Sequence, residues 1–366
     1  MYGCRAIKKK FCLTICFSPI KLIIKNLNLY EREAMELIQT VKKQILLLMI
    51  LLLAALLFSG CSMKKIGKEE NTSAYQVTDS FGNEVTIPHK PRRILGTSSS
   101  INTMLLGVVE ADRLVACFSA DKDPAISYVA EETKDIALTI PLNGISMEVL
   151  TKAAPDLIIA SSYTQPAELT MWRNLGYPVI MIDGPTSIEQ VKGDIRIISA
   201  AAGEKERGEK VIARMDSHLA EIDTVLEKRT DPQPKALLVS QMTSYGGPGS
   251  MYHELLTRAR VRNAIAEVGV SNKQLLAREL IVKSDPDFFI VSSDRPSDET
   301  GAGRFRNEFF ANPAIQNMRA YGNIQVLNDR YIYAASQNCV YAIKAMANAA
   351  YGPIFDMKDE KQIQGY

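Results

Sequence analysis

The most suggestive chemistry in this 366-residue chain lies in a duplicated pattern. Glu148-Val-Leu-Thr-Lys152-Ala-Ala-Pro155-Asp156-Leu-Ile-Ile159 recurs as Glu279-Leu-Ile-Val-Lys283-Ser-Asp-Pro286-Asp287-Phe-Phe-Ile290. Glu, Lys, Pro, Asp and Ile keep the same offsets, 131 residues apart. A carboxylate opening each copy can meet a basic socket on another molecule. It can equally serve its own helix, whose N-terminal dipole favours an acid. Catalytic signals are weak. Ser250 and His253 are a helical i, i+3 pair with no orienting acid marked. The chain has no Gly-x-Ser-x-Gly elbow. The run Gly246-Gly-Pro-Gly-Ser250 lacks the Lys-Ser/Thr of a phosphate loop. His89, His218 and His253 share no ligand spacing, so neither a catalytic centre nor a bare-metal site is expected.

Each copy of the repeat needs elements to hold it. It reads as a short helix, a Pro-Asp turn and a buried strand, because Pro disfavours helix for the residue before it. Apolar runs of strand length recur at Arg93 to Leu95, Leu114 to Phe118, Leu157 to Ala160, Val179 to Ile182, Ala236 to Ser240, Phe288 to Val291 and Ile324 to Leu327. Amphipathic stretches such as Ser187 to Ala202 separate them. Strands alternating with helices argue for parallel α/β sheets covered on both faces. Glu204 to Arg229 breaks the rhythm. Val211, Ile212, Met215, Leu219, Ile222 and Leu226 fall there at helical spacing, which predicts one helix of roughly 39 Å. The two repeat copies flank it. The expected fold is therefore α/β, with two Rossmann-like lobes joined by one long α-helix and a ligand cleft between them. The expected boundaries are 75–203 for the N-terminal lobe, 204–230 for the linking helix and 231–366 for the C-terminal lobe.

The N-terminus sets the compartment. Lys42 and Lys43 precede the fourteen-residue apolar run Ile45 to Phe58, then Ser59, Gly60 and Cys61. This has the proportions of a secretory signal, and at about 21 Å the run is short for the ~30 Å core of a bilayer. Small residues directly before Cys61 look like a bacterial lipobox, in which the cysteine thiol is acylated, although Phe58 stands where Leu is usual. Residues 35–60 thus read as a lipoprotein signal peptide and 61–74 as a flexible tether. Residues 1–34 read as an over-extended reading frame, with Met35 as the true start. Residues 1–60 hold 9 basic and 3 acidic side chains, which leaves 34 basic against 38 acidic in the remainder, a net charge of −4. The basic balance belongs to the signal, and nucleic-acid binding is not indicated. Cys4, Cys12 and Cys16 fall in the upstream segment, and beyond Cys61 the sequence has Cys117 and Cys339. Cys117 lies in an apolar run and reads as a buried small hydrophobe.

Several further pieces resemble one family. Val77-Thr-Asp-Ser-Phe-Gly82-Asn-Glu-Val85-Thr-Ile87-Pro88, followed by Pro91-Arg92-Arg93-Ile94, is similar to an opening hairpin and first strand. Leu175-Gly176-Tyr177-Pro178-Val179, Asn312-Pro313-Ala314 and Asp329-Arg330-Tyr331 resemble later steps. Their order, from Tyr75 to Gly352, resembles the class III, helical-backbone solute-binding proteins of iron-complex and cobalamin importers. The resemblance implies a monomer that captures a small metal complex, a ferric siderophore, haem or cobalamin, and needs no resident cofactor. It implies an ABC permease dimer with its cytoplasmic ATPase as partner, an extracytoplasmic place on a lipid anchor, and small-amplitude lobe closure. It assigns Glu148 and Glu279 to permease docking. Ligands of such sheets sit at strand carboxyl ends. The candidate contacts are therefore Ser99, Ser100, Ser162, Tyr163, Tyr245, Arg295, Tyr331 and Tyr333. Tyrosine offers flat apolar area with a hydroxyl, its oxygen can ligate haem iron, and Arg295 can pair with an anionic oxygen. A secreted sensor or adhesin of the same fold, or a hydrolase, is the alternative from another class.

Overall fold

The computed structural model describes residues 43–44, 73–141, 144–292 and 301–366, apart from the side chains of residues 301 and 302. The signal segment, Cys61 and Arg295 lie outside the described residues. In the unit Thr72–Tyr366 the chain opens with an antiparallel hairpin, β1 (Tyr75–Thr78) and β2 (Glu84–Ile87). β3 (Ile94–Gly96), α1 (Ser99–Val108), β4 (Cys117–Phe118), β5 (Thr139–Ile140), α2 (Met147–Ala153), β6 (Leu157–Ser161), α3 (Pro166–Asn174), β7 (Val179–Ile182) and α4 (Ile188–Ala201) follow. They build a parallel sheet ordered β3-β6-β7, and a parallel bridge from Ile94 to Leu114 adds the β4–β5 pair beside β3. After α5 (Lys205–Leu226) come β8 (Lys235–Val239), α6 (Met251–Arg258), β9 (Arg262–Asn263), α7 (Arg278–Ser284), β10 (Phe288–Ser292), α8 (Gly301–Phe310), β11 (Ile324–Leu327) and α9 (Cys339–Tyr351). The second sheet is parallel throughout, ordered β11-β10-β8-β9. These are the two α/β lobes that the strand–helix alternation predicts.

The strands form where short apolar runs can be buried on both faces. β6, β7 and β10 have every residue buried but the last of β6 and β10. One hydrophobic core links the lobes through α5, whose Val211, Ile212, Met215, Leu219, Ile222 and Leu226 are all buried. Its helix is shorter than the periodicity suggests, 22 residues or about 33 Å. The last expected turn tightens, with the Arg229 N–H reaching the Leu226 carbonyl at 3.2 Å, ahead of Pro232. At the other end Glu204 is held by Lys90 at 2.9 Å and Arg113 at 2.7 Å. Separate apolar clusters cover the outer faces of the two sheets, one around Trp172 and one around Phe289.

The repeat is structural before it is anything else. α2 and α7 both end on a left-handed residue, Ala154 and Asp285, each at φ 39°. The aspartate after each proline then clamps the lobe's first strand. The Asp156 carboxylate accepts the Arg92 and Arg93 N–H groups at 2.8 and 2.9 Å, and its own N–H donates to the Arg93 carbonyl at 2.8 Å. Asp287 accepts the Lys235 N–H at 2.7 Å and donates to the Lys235 carbonyl at 2.7 Å.

One boundary differs from expectation. The residues after α9, assigned by sequence to the C-terminal lobe, run back onto the N-terminal lobe. The Gly365 N–H donates to the Gly107 carbonyl at 2.8 Å, Gln364 reaches Glu132 at 2.9 Å, and Ile363 is buried. A Cβ on Gly365 would lie 2.2 Å from the Arg207 carbonyl oxygen, so the tail fits only with glycine there.

Candidate functional site

Strand order locates the site. In the first lobe the chain leaves β3 toward β4 and β5, then returns to place β6 on the other side of β3. The crossover therefore switches direction between β3 and β6. In the second lobe it switches between β8 and β10. Loops beyond the carboxyl ends of strands at such points leave a crevice. A cavity of about 1000 Å³ opens there, bounded by loops after β3, β6 and β7 on one side and by Tyr245, the Gly249–Met251 turn, Asn272, Lys273 and Tyr333 on the other. This is the top of the usual size range for ligand pockets.

Local hydrogen bonds shape its walls. The Ser98 hydroxyl caps α1 by accepting the Ile101 N–H at 3.3 Å. The Ser161 N–H donates to Thr97 Oγ1 at 2.9 Å, and the Ser162 hydroxyl accepts the Gly184 N–H at 3.3 Å, tying three cleft loops together. The Tyr163 ring lies against Gly184, where an added Cβ would be 3.2 Å from it. Tyr163 is 77 % exposed, and its hydroxyl has no hydrogen-bond partner among the described residues. Opposite, the Tyr245 and Tyr333 rings pack with centroids 5.4 Å apart. The Tyr245 hydroxyl donates to the Ile332 carbonyl at 3.2 Å, and burial pushes its pKa up, so it stays a neutral phenol. Tyr333 Oη and Ser240 Oγ share a 2.7 Å hydrogen bond.

Of the ligand candidates read from sequence, Ser100, Ser162, Tyr163, Tyr245 and Tyr333 line this cavity. Ser99 does not; it begins α1, and its carbonyl accepts the Thr103 hydroxyl. Nor does Tyr331, whose hydroxyl donates to the Glu360 carboxylate at 2.8 Å. Sequence reasoning missed Arg173, Asp183, Asn272 and Lys273. Arg173 sits on a helix and the others in loops with no motif, so only the folded loops bring them to the cleft. Glu148 and Glu279 occupy the second position of α2 and α7, both exposed. Glu148 pairs with Lys152 at 2.8 Å, which lowers its pKa; Glu279 has no ion-pair partner among the described residues.

Ser250, His218, His253 and the two cysteines are tied into local structure. Ser250 is a buried N-cap that accepts the His253 N–H at 3.2 Å and donates to the Gly247 carbonyl at 2.7 Å. His253 Nδ1 lies 3.1 Å from Asn263 Nδ2, and burial lowers its pKa. His218 packs edge-on to Tyr341. Cys117 and Cys339 are free and buried, their thiol pKa values pushed up to about 11 and about 12 by burial.

A family model described as "periplasmic binding protein" matches residues 94–330, most of the folded unit and most of both walls of the cleft. The chain belongs to this family. Among known periplasmic binding proteins and their relatives, the "uncharacterized ABC transporter substrate-binding lipoprotein YvrC" of Bacillus subtilis (strain 168) is 23% identical over 255 residues, covering 66% of this chain and 78% of that protein. The apo "periplasmic heme-binding protein RhuT" of Roseiflexus sp. RS-1 superposes with TM-score 0.59 at 21% identity, over 71% of this chain and 99% of that one. The heme-binding protein HmuT gives 0.62 at 20% identity, over 76% and 91%. At such identities the likeness carries the two-lobe fold. No helix among the described residues is long and apolar enough to cross a membrane.

Proposed function

We propose that this periplasmic binding protein captures a haem-class iron complex outside the cytoplasm and delivers it to an ABC importer. The carrying observation is the cleft itself. Tyrosines face each other across about 1000 Å³ between the lobes, Tyr163 from one side and the packed pair Tyr245 and Tyr333 from the other. Rings on opposing walls suit a flat, largely apolar ligand. Tyr163 offers the one free phenol of the three, and phenol oxygen is a known axial ligand of haem iron. The names of the heme-binding structural neighbours point the same way.

In this reading Cys61 carries the lipid anchor and residues 62–74 the tether. Glu148 and Glu279, exposed at equivalent points of the two lobes, dock the two halves of a permease dimer whose ATPase is cytoplasmic. The protein works as a monomer, since one chain supplies both cleft walls and both glutamates.

The test is titration of the chain from Ser62 onward with haemin, a ferric siderophore panel and cobalamin, followed by the Soret band and by calorimetry. Saturable binding of haemin with a Soret shift supports the reading. Binding of a siderophore or of cobalamin instead replaces the cargo but keeps the transport role. Reversal of Glu148 and Glu279 to Lys that leaves both cargo binding and uptake intact would remove the importer from the account.

A further inference from the structure

Among the described residues, three side chains that line the cleft carry a charge. Arg173 comes from the first lobe and Lys273 from the second, and the one carboxylate among the described lining residues is Asp183. Neither Arg173 nor Lys273 has an ion-pair partner among the described residues, while the Asp183 carboxylate already accepts the Gly184 N–H at 2.9 Å.

Lys273 is held in place at a conformational cost. Its φ is 68°, in the left-handed region that β-carbon sterics disfavour. Two neighbouring contacts impose this. The Lys273 N–H donates to the Ser244 carbonyl at 2.7 Å, and the Asn272 N–H donates to the Pro248 carbonyl at 2.9 Å. Asn272 Nδ2 adds a bond to the Gly249 carbonyl at 3.2 Å. Gly247 lets the strands of loop meet, since a Cβ there would lie 2.6 Å from the Ser271 carbonyl carbon. Glycine would satisfy that φ without strain. A lysine in its place sets a flexible ammonium on the cleft wall, and strain of this kind concentrates at ligand-binding positions.

We infer that Lys273 is a specificity residue for the anionic oxygens of the cargo, with Arg173 as its counterpart on the other lobe. The inference rests on the proposed function and narrows it. The cargo would carry two separated anionic groups, such as the propionates of a haem, and each lobe would bind one. Closure of the lobes then places one cation near each anion, so charge pairing accompanies capture.

The experiment compares haemin with its dimethyl ester, which removes both carboxylates and keeps the ring and iron. Parent protein, Lys273→Gln, Lys273→Arg and Lys273→Gly are titrated with each. Lys273→Gln should weaken haemin binding about ten-fold, the scale of one charge-assisted hydrogen bond, and leave the ester unchanged. Lys273→Arg should restore most of the haemin affinity. Lys273→Gly should lose the same affinity yet melt at a higher temperature than the parent, which a lysine serving the loop's stability would not do. Equal losses for haemin and ester, or no loss for either, would overturn the inference while leaving haem capture standing. If the parent binds neither porphyrin, haem capture fails. The same variants are then titrated with an anionic ferric tris-catecholate and a neutral ferric tris-hydroxamate. A loss confined to the catecholate supports Lys273, and any other pattern, including no binding, overturns it.

Discussion

Asp156→Ala should destabilise the protein substantially although the side chain is only half-buried. Its carboxylate accepts two backbone N–H groups, from Arg92 at 2.8 Å and Arg93 at 2.9 Å, just where β3 begins. Hydrogen bonds to a charged acceptor contribute about 1.5–3 kcal/mol each. Arg92 and Arg93 are exposed, so water partly replaces the lost acceptor, and the sum falls to about 2–3 kcal/mol. For a domain of this size that is a drop in Tm of roughly 4–6 °C. Asp156→Asn keeps one carbonyl acceptor and should lose about half as much. Asp287→Ala should act alike in the other lobe, since it accepts the Lys235 N–H and pairs with Arg319 at 2.8 Å. Glu148→Lys and Glu279→Lys, eight residues upstream in the same two copies, should barely move the melt because both side chains are exposed. Calorimetric melting of the five variants measures this. An Asp156→Ala protein that melts with the parent, or glutamate reversals that cost as much as the aspartate changes, would refute this division of labour within the repeat.

Further outcomes follow from the same geometry. Gly247→Ala should displace the 271–273 loop, because its Cβ would meet the Ser271 and Asn272 backbone at 2.6–2.8 Å, and should cost about 1–3 kcal/mol in denaturant unfolding. Asp194 is buried with one carboxylate oxygen unpartnered, and burial raises its pKa from 3.8 to about 7. A raised carboxyl pKa means that the folded state holds its proton more tightly. Its contribution is therefore full below pH 4 and is lost as pH rises toward 7, by at most about 1.4 kcal/mol per pH unit. Asp194→Asn should flatten that slope in melts across the range. Tyr163→Phe should alter the haemin Soret and charge-transfer bands, whereas Tyr333→Phe, whose hydroxyl is engaged by Ser240, should leave them in place.

The fold was legible because its signals are short-range and repeated. The 131-residue repeat predicts both helix–turn–strand units, and the strands at Val179–Ile182 and Ile324–Leu327 agree at both ends. The six apolar positions of the long helix are the ones that face the core. What escaped depends on the chain meeting itself at long range. Leu114 to Phe118 reads as one strand, yet only Cys117–Phe118 pairs regularly, with Leu114 making a lone bridge. Tyr331 sits beside a plausible cleft loop in sequence, but Glu360 draws its hydroxyl away from the cleft. Lys273 carries no motif at all; its place follows from backbone bonds to a loop some thirty residues earlier.

The same long-range contacts bear on how the cleft opens. A rod helix alone leaves two lobes free to rock about its ends, but here the lobes are joined at a second place. Arg330 of the C-terminal lobe donates to the carbonyls of Pro124 and Ala125 at 2.9 and 2.8 Å, with its guanidinium 5.1 Å from the Tyr128 ring centroid. Asn328 reaches the Ala125 carbonyl at 2.6 Å. Glu360, in the returning tail, accepts hydroxyls from Tyr128 of one lobe and Tyr331 of the other. Wide opening would break these bonds together and expose half-buried polar groups, each costly to leave unpaired. The lobes should therefore breathe by small displacements, and cargo should enter without a large hinge motion. Small-angle scattering profiles of empty and loaded protein should nearly superimpose. Glu360→Ala combined with Arg330→Ala should separate them by loosening the empty state. A parent protein whose profile contracts markedly on loading would show that these contacts do not restrain the lobes.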